Sequence, residues 1–174
     1  MDMPRPAYAP LVVVALLALL PAACGKPVDL KQALQVTNVT AGYHDAGILE
    51  GRNKIVPSLT FRLKKSTDDS LNPLALNAVF KRLPPAGSAV APGSPAEDDF
   101  EEVYVSKVPF DGNQTGLLTI VSKAGYTGDP PQSRAELFKN SQFRDMRVHL
   151  FAKHSSTQWV EIGQFDIPRQ LLAQ

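Results

Sequence analysis

The chain has 174 residues, with 18 Lys and Arg against 17 Asp and Glu, for a formal net charge of +1. That balance excludes the basic stripe a nucleic-acid-binding domain presents. The only cysteine is Cys24, so an intramolecular disulfide framework is excluded and the fold must rest on its apolar core.

Residues 11–20 are continuously apolar. A membrane-spanning helix needs about 20 such residues, and a run of about ten fits the core of a signal peptide instead. Pro10 and Pro21 bracket the run, and a buried helix does not tolerate such interior prolines. Arg5 and the start amine against Asp2 make a weakly positive lead, and Ala22 and Ala23 are the small residues that a processing enzyme accepts. The stretch Leu20-Pro21-Ala22-Ala23-Cys24 resembles a bacterial lipobox, with Pro21 where an aliphatic residue is usual. The resemblance implies that residues 1–23 are a signal peptide and that Cys24 carries a diacylglycerol. Two or more acyl chains hold a protein stably at a membrane, where one does so only marginally. The resemblance also implies a bacterial cell-envelope location. Gly25 after the cysteine is compatible with the outer membrane, at its periplasmic face or the cell surface, rather than the inner one.

Removal of residues 1–23 leaves 151, the size of one domain. Residues 24–33 read as the lipidated cysteine and a short polar tether. Residues 34–40 are rich in β-branched side chains and predict a first strand that ends near Gly42. Two turn regions follow, at 42–47 and 50–53. Over 55–65, Ile55, Leu59, Phe61 and Leu63 alternate with Ser58, Thr60, Arg62 and Lys64, the period of a half-buried strand. A polar turn at 66–70 and a strand at 74–82 bearing Leu76, Ala78 and Phe80 predict an antiparallel pair. Residues 84–97 are a Pro-, Gly- and Ala-rich insertion that cannot bury a face.

Further strands are expected at 100–108 and 117–121. Ser133 with Glu136 three residues on makes a capping box, which predicts one short helix over 133–140. Residues 143–153 and 159–167 alternate around a turn at 155–158 and predict a hairpin, and residues 169–174 are a short tail. About seven strands with one short helix and no βαβ alternation predict an all-β, Ig-like antiparallel β-sandwich over 34–168. The strand pattern is also similar to the Ig-like domains of bacterial envelope lipoproteins, including the FxLYD type; Phe61 and Leu63 are the letters shared with that motif.

No nucleophile elbow, phosphate loop or dinucleotide fingerprint occurs, and no cofactor is expected. His44-Asp45 is the best candidate for acid–base work, which would make the chain a small envelope hydrolase or metal-dependent enzyme. The other histidines, His149 and His154, fall on one strand and at its end, so a metal site with His44 would need the fold to bring them together. The carboxylates at 68–69 and 97–102 lack the spacing of a calcium loop and read as solvated loop charges. Lys64-Lys65 and Lys81-Arg82 read as solvated strand ends. Ala41-Gly42-Tyr43 and Ala124-Gly125-Tyr126 repeat one tripeptide. If both tyrosines emerged at one end of the sandwich, Tyr43, Tyr126 and Trp159 could form a recognition surface for a partner such as a glycan. The expected function is a lipid-anchored, non-catalytic binding or assembly module whose partners are the membrane and other envelope proteins or glycans.

Overall fold

In a computed structural model, residues 28–85, 97–155 and 157–173 are described. The expected signal peptide at 1–23, Cys24, the start of the expected tether and most of the 84–97 insertion lie outside them. Two short helices, α1 (Leu30–Ala33) and α2 (Arg134–Leu137), accompany ten strands. These are β1 (Leu34–Leu49), β2 (Arg52–Lys65), β3 (Leu74–Arg82), β4 (Asp98–Val105), β5 (Phe110–Asp111), β6 (Gln114–Thr115), β7 (Leu118–Val121), β8 (Tyr126–Gly128), β9 (Met146–His154) and β10 (Val160–Ile167).

The strands form two antiparallel sheets. One has β1 beside β2, with β6, β7 and β8 paired in succession along the other side of β2 and β5 beyond β6; the other runs β10-β9-β3-β4. The molecule is an all-β sandwich. Its core is the set of alternating apolar positions legible in the sequence. Ile55, Leu59, Phe61 and Leu63 of β2 face Leu74, Leu76, Ala78 and Phe80 of β3 and Met146, Val148, Leu150 and Ala152 of β9, all fully buried. Strand side chains alternate between faces, so each of these strands offers one apolar face and the two sheets stack on them.

The expected pairing of 55–65 with 74–82 is corrected by this arrangement. β2 and β3 lie in different sheets and meet through side chains, while their backbones bond to other strands. The first strand is also longer than expected. β1 runs through the 42–47 region, from Leu34 opposite Lys65 to Leu49 opposite Arg52, with irregularities between Thr37 and Thr40 and between Asp45 and Ile48. The glycine and aspartate that read as a turn instead make a bulge: Gly47 has φ 80° and its N–H donates to Asp45 Oδ1 at 2.8 Å. The true turn is Glu50-Gly51, with φ of 52° and 77°, the two-residue type I′ geometry that matches strand twist.

Pro57 shapes the opposite side of β2. It has no N–H for a ladder bond, and the pairing that runs through β7 at Ser58–Val121 resumes through β8 only at Ile55–Tyr126. Gly125 lies in the gap, so close to β2 that a Cβ there would collide with the Ile55 carbonyl oxygen.

The capping box stands as expected: Ser133 Oγ accepts from Glu136 N at 3.3 Å, and Ser133 N donates to Glu136 Oε2 at 2.6 Å. Two corrections fall at the ends. Residues 30–33, expected as tether, form α1, with Leu30 and Ala33 buried and Asp29 as its cap. Part of the expected tail continues the domain, because Tyr43 N donates to Gln170 O and Leu172 N to Tyr43 O, each at 2.9 Å. Residues 170–172 thus lie parallel to β1 at Tyr43.

Candidate binding surface

His44 and Asp45 do not form an acid–base pair. As neighbours on a strand they point to opposite faces; His44 sits across from Val56 and Asp45 across from Ile55. The Asp45 carboxylate is engaged structurally by Gly47 N and by Arg134 Nε at 3.0 Å. The Gly47 N–H first, and then Arg134, hold its carboxyl below the usual aspartate value. His149 and His154 share β9 but have separate partners. His154 Nδ1 is 3.3 Å from Pro73 O, whereas His149 lies between two carboxylates, with Nδ1 2.7 Å from Glu161 and Nε2 2.8 Å from Glu97. Among the described residues no group of three or more His, Cys, Asp or Glu is arranged to hold a metal ion.

The 97–102 acids are not the solvated loop charges expected from sequence. Residues 98–102 belong to β4, and the acids tie it to its neighbours. Glu97 also bonds Arg147 at 3.0 Å, Asp98 bonds Arg144 at 3.2 Å, and Asp99 bonds Lys81 at 3.3 Å. Glu101 accepts from Ser122 Oγ and from Ala124 N, crossing from the four-stranded to the six-stranded sheet. Lys81 and Arg82 are engaged as well, the latter 5.5 Å over the Phe100 ring. Phe100 can turn toward the core because the β3–β4 register shifts there: Phe80 pairs with Glu101 and Lys81 with Asp99. Phe100 is the extra residue of that bulge and stacks on Tyr126 at 6.1 Å.

The structure brings Tyr43 and Tyr126 together but leaves Trp159 elsewhere, so the surface expected from all three does not exist. Tyr43 is fully buried among Tyr126, Phe138 and Phe143, with ring centroids 5.2 to 6.5 Å away. Burial first, then the neighbouring Tyr126 and Asp145, push its hydroxyl far above the usual tyrosine value. The Tyr126 hydroxyl is held by Arg144, donating to its carbonyl at 3.1 Å. This aromatic knot closes the end of the sandwich where β9 begins. Trp159 stands beyond the other end of β9, 5.7 Å from Lys153 Nζ in a cation–π contact.

There Trp159 meets a residue the sequence reading passed over. Tyr104 of β4 lies 6.0 Å from the indole, edge to face at 86°. β4 and β10 are opposite edges of the four-stranded sheet. The indole, one residue ahead of β10, and the phenol of Tyr104 therefore bridge between them the width over β9 and β3, about three strand spacings of roughly 4.8 Å. Tyr104 is 62% exposed and Trp159 38%. With Pro73, Ser106, Lys107 and Ser155 they line a groove of about 450 Å³. Neither Lys107 nor Lys153 makes an ion pair among the described residues. The signal available in sequence was the alternation of Tyr104 with Val103 and Val105, which marks it as facing away from the core.

Comparison of the chain with protein-family models, with curated proteins and with solved structures finds no match.

Proposed function

We propose that the chain is a bacterial envelope lipoprotein, held at a membrane by acyl chains on Cys24, whose β-sandwich is a non-catalytic binding or assembly module. One observation carries this reading: the apolar run at 11–20 leads into Leu20-Pro21-Ala22-Ala23-Cys24, and Cys24 is the only cysteine of the chain. A thiol with no disulfide partner and a lipobox-like approach is suited to thioether lipidation. No helix among the described residues is long and apolar enough to cross a membrane, and two acyl chains supply stable attachment without one.

The module reading draws on where the polar side chains are spent. The acids of β4 and its approach, together with His149, Arg144 and Arg147, hold the strands together. The groove at Tyr104 and Trp159 leaves amphipathic rings and two lysines facing outward, a composition suited to recognition. The test is labelling with a fatty acid in cells. Wild-type protein should take up the label and fractionate with membranes, and Cys24→Ser should lose the label. An unlabelled wild-type protein overturns the reading.

A further inference from the structure

We infer that the Tyr104–Trp159 groove is a seat for an anionic membrane surface, so that the domain rests on the bilayer with this end down. The inference rests on the lipid-anchor reading and adds an orientation and a contact to it.

The first argument is where the chain enters. Val28 is the first described residue, four residues after Cys24. A fully extended chain covers at most about 3.6 Å per residue, so Val28 stays within about 15 Å of an acylated Cys24. Val28 leads into α1, and Ala33 O accepts from Ser66 N at 2.9 Å, which places α1 at the end of the sandwich where β2 finishes. α1 also packs against β10, which begins one residue past Trp159. Pro73 and Leu74, at the start of β3, line the groove itself. The anchor and the groove therefore share one end. The β1–β2 turn at Glu50-Gly51 is at the other, 16 strand residues away, or about 50 Å at 3.3 Å per residue.

The second argument is the chemistry of the groove. Tyrosine and tryptophan favour the membrane–water interface, where the ring is apolar and its polar tip stays wet. Lys107 and Lys153 carry charge without an ionic partner among the described residues, and no acid lines the groove. A lysine near an anionic headgroup layer gains roughly a fivefold bias toward the surface. Of the acids toward this end, Asp29 and Asp69 line a separate hollow beside α1, Glu161 is bonded to His149 and Gln164, and Asp68 and Asp111 lie by the end of β2, none of them lining the groove.

Trp159 is the only tryptophan, so its emission reports on the groove alone. The lipidated full-length protein should be reconstituted in vesicles of phosphatidylglycerol with phosphatidylcholine, and in phosphatidylcholine alone, each with a fraction of lipid brominated near the headgroup. Strong quenching in the anionic vesicles supports the seat, provided that it weakens about fivefold for each of Lys107→Glu and Lys153→Glu and also weakens in neutral vesicles. Protein that floats with the vesicles but is unquenched in both overturns the seat and leaves the anchor standing. Protein that fails to float overturns the anchor reading itself. A short oligogalacturonate that shields Trp159 from aqueous iodide, with no quenching by brominated lipid, also overturns the seat and assigns the groove to an acidic glycan. Tyr104→Ala, at an exposed position, supplies a second variant that should reduce quenching without disturbing the core.

Discussion

His149 Nε2 lies 2.8 Å from Glu97 Oε2 across 52 residues of sequence, and its other ring nitrogen lies 2.7 Å from Glu161 Oε1. One imidazole thus ties the approach to β4 and the strand β10 to β9. The side chains of His149 and Glu97 are only 13% and 17% exposed, so these bonds are little diluted by solvent. His149→Ala would leave two partly buried carboxylates facing a gap. The expected loss is about 1–3 kcal/mol, the cost of stranding hydrogen-bonded charged groups. Urea unfolding of His149→Ala, Glu97→Gln and the double variant checks this. A coupling energy near zero would mean that the two side chains are neighbours without a shared bond.

Glu101 should give the protein an acid-sensitive limb. Burial pushes its carboxyl up, but hydrogen bonds from Ser122 and from the Ala124 N–H outweigh that and hold it below the usual glutamate value. Glu161 is shifted the same way, with burial opposed by Gln164 and His149. A carboxyl that is more acidic folded than unfolded adds stability above its unfolded pKa and loses it as pH falls through the folded one. Denaturant midpoints measured from about pH 7 to about pH 3 should therefore fall in the carboxylate range. Glu101→Gln should lower the neutral-pH midpoint and flatten the acid limb; an unchanged slope would remove Glu101 from the account.

Gly125 and Gly47 separate two reasons for a glycine. At Gly125 a Cβ would meet the Ile55 backbone oxygen and Val56 Cγ1, whereas at Gly47 there is nothing within 4 Å but φ is 80°. Gly125→Ala should cost about 3 kcal/mol, because the neighbouring backbone must shift. Gly47→Ala should cost about 1 kcal/mol, for the left-handed conformation alone. The order of the two chemical-denaturation midpoints decides the matter.

Deletion of residues 170–174 removes the two backbone hydrogen bonds that flank Tyr43 and uncovers Gly42, which packs beside Leu172. At about 1 kcal/mol for each bond and about 2–4 °C per kcal/mol in a domain of this size, the melting temperature should drop by about 4–8 °C. Calorimetry on the truncated chain, with Arg169 retained to bond Asp145, measures it; an unchanged melting temperature would show that the segment only lies along β1.

The sequence alone determined the sandwich class and most of its core, since alternation at 59–63, 74–78 and 146–152 is a local property that needs no knowledge of partners. It also determined the α2 capping box, whose two bonds span only three residues, and it supplied the argument for Cys24. Partners at long range were decided by the tertiary structure. Alternation says that β2 and β3 each bury a face but not whether they pair or stack, so β3 took β9 and β4 as neighbours instead. Asp45 and Gly47 looked like a turn because a bulge uses the same residues, and only the length of β2 opposite them shows that β1 continues. Tyr43 and Trp159 could not be told apart in exposure from sequence, because burial of an aromatic depends on what lies over it. The Tyr43 ring is packed among Tyr126, Phe138 and Phe143. Trp159 is left open with Tyr104, a pairing across the whole width of a sheet, because no element among the described residues packs over that end of it.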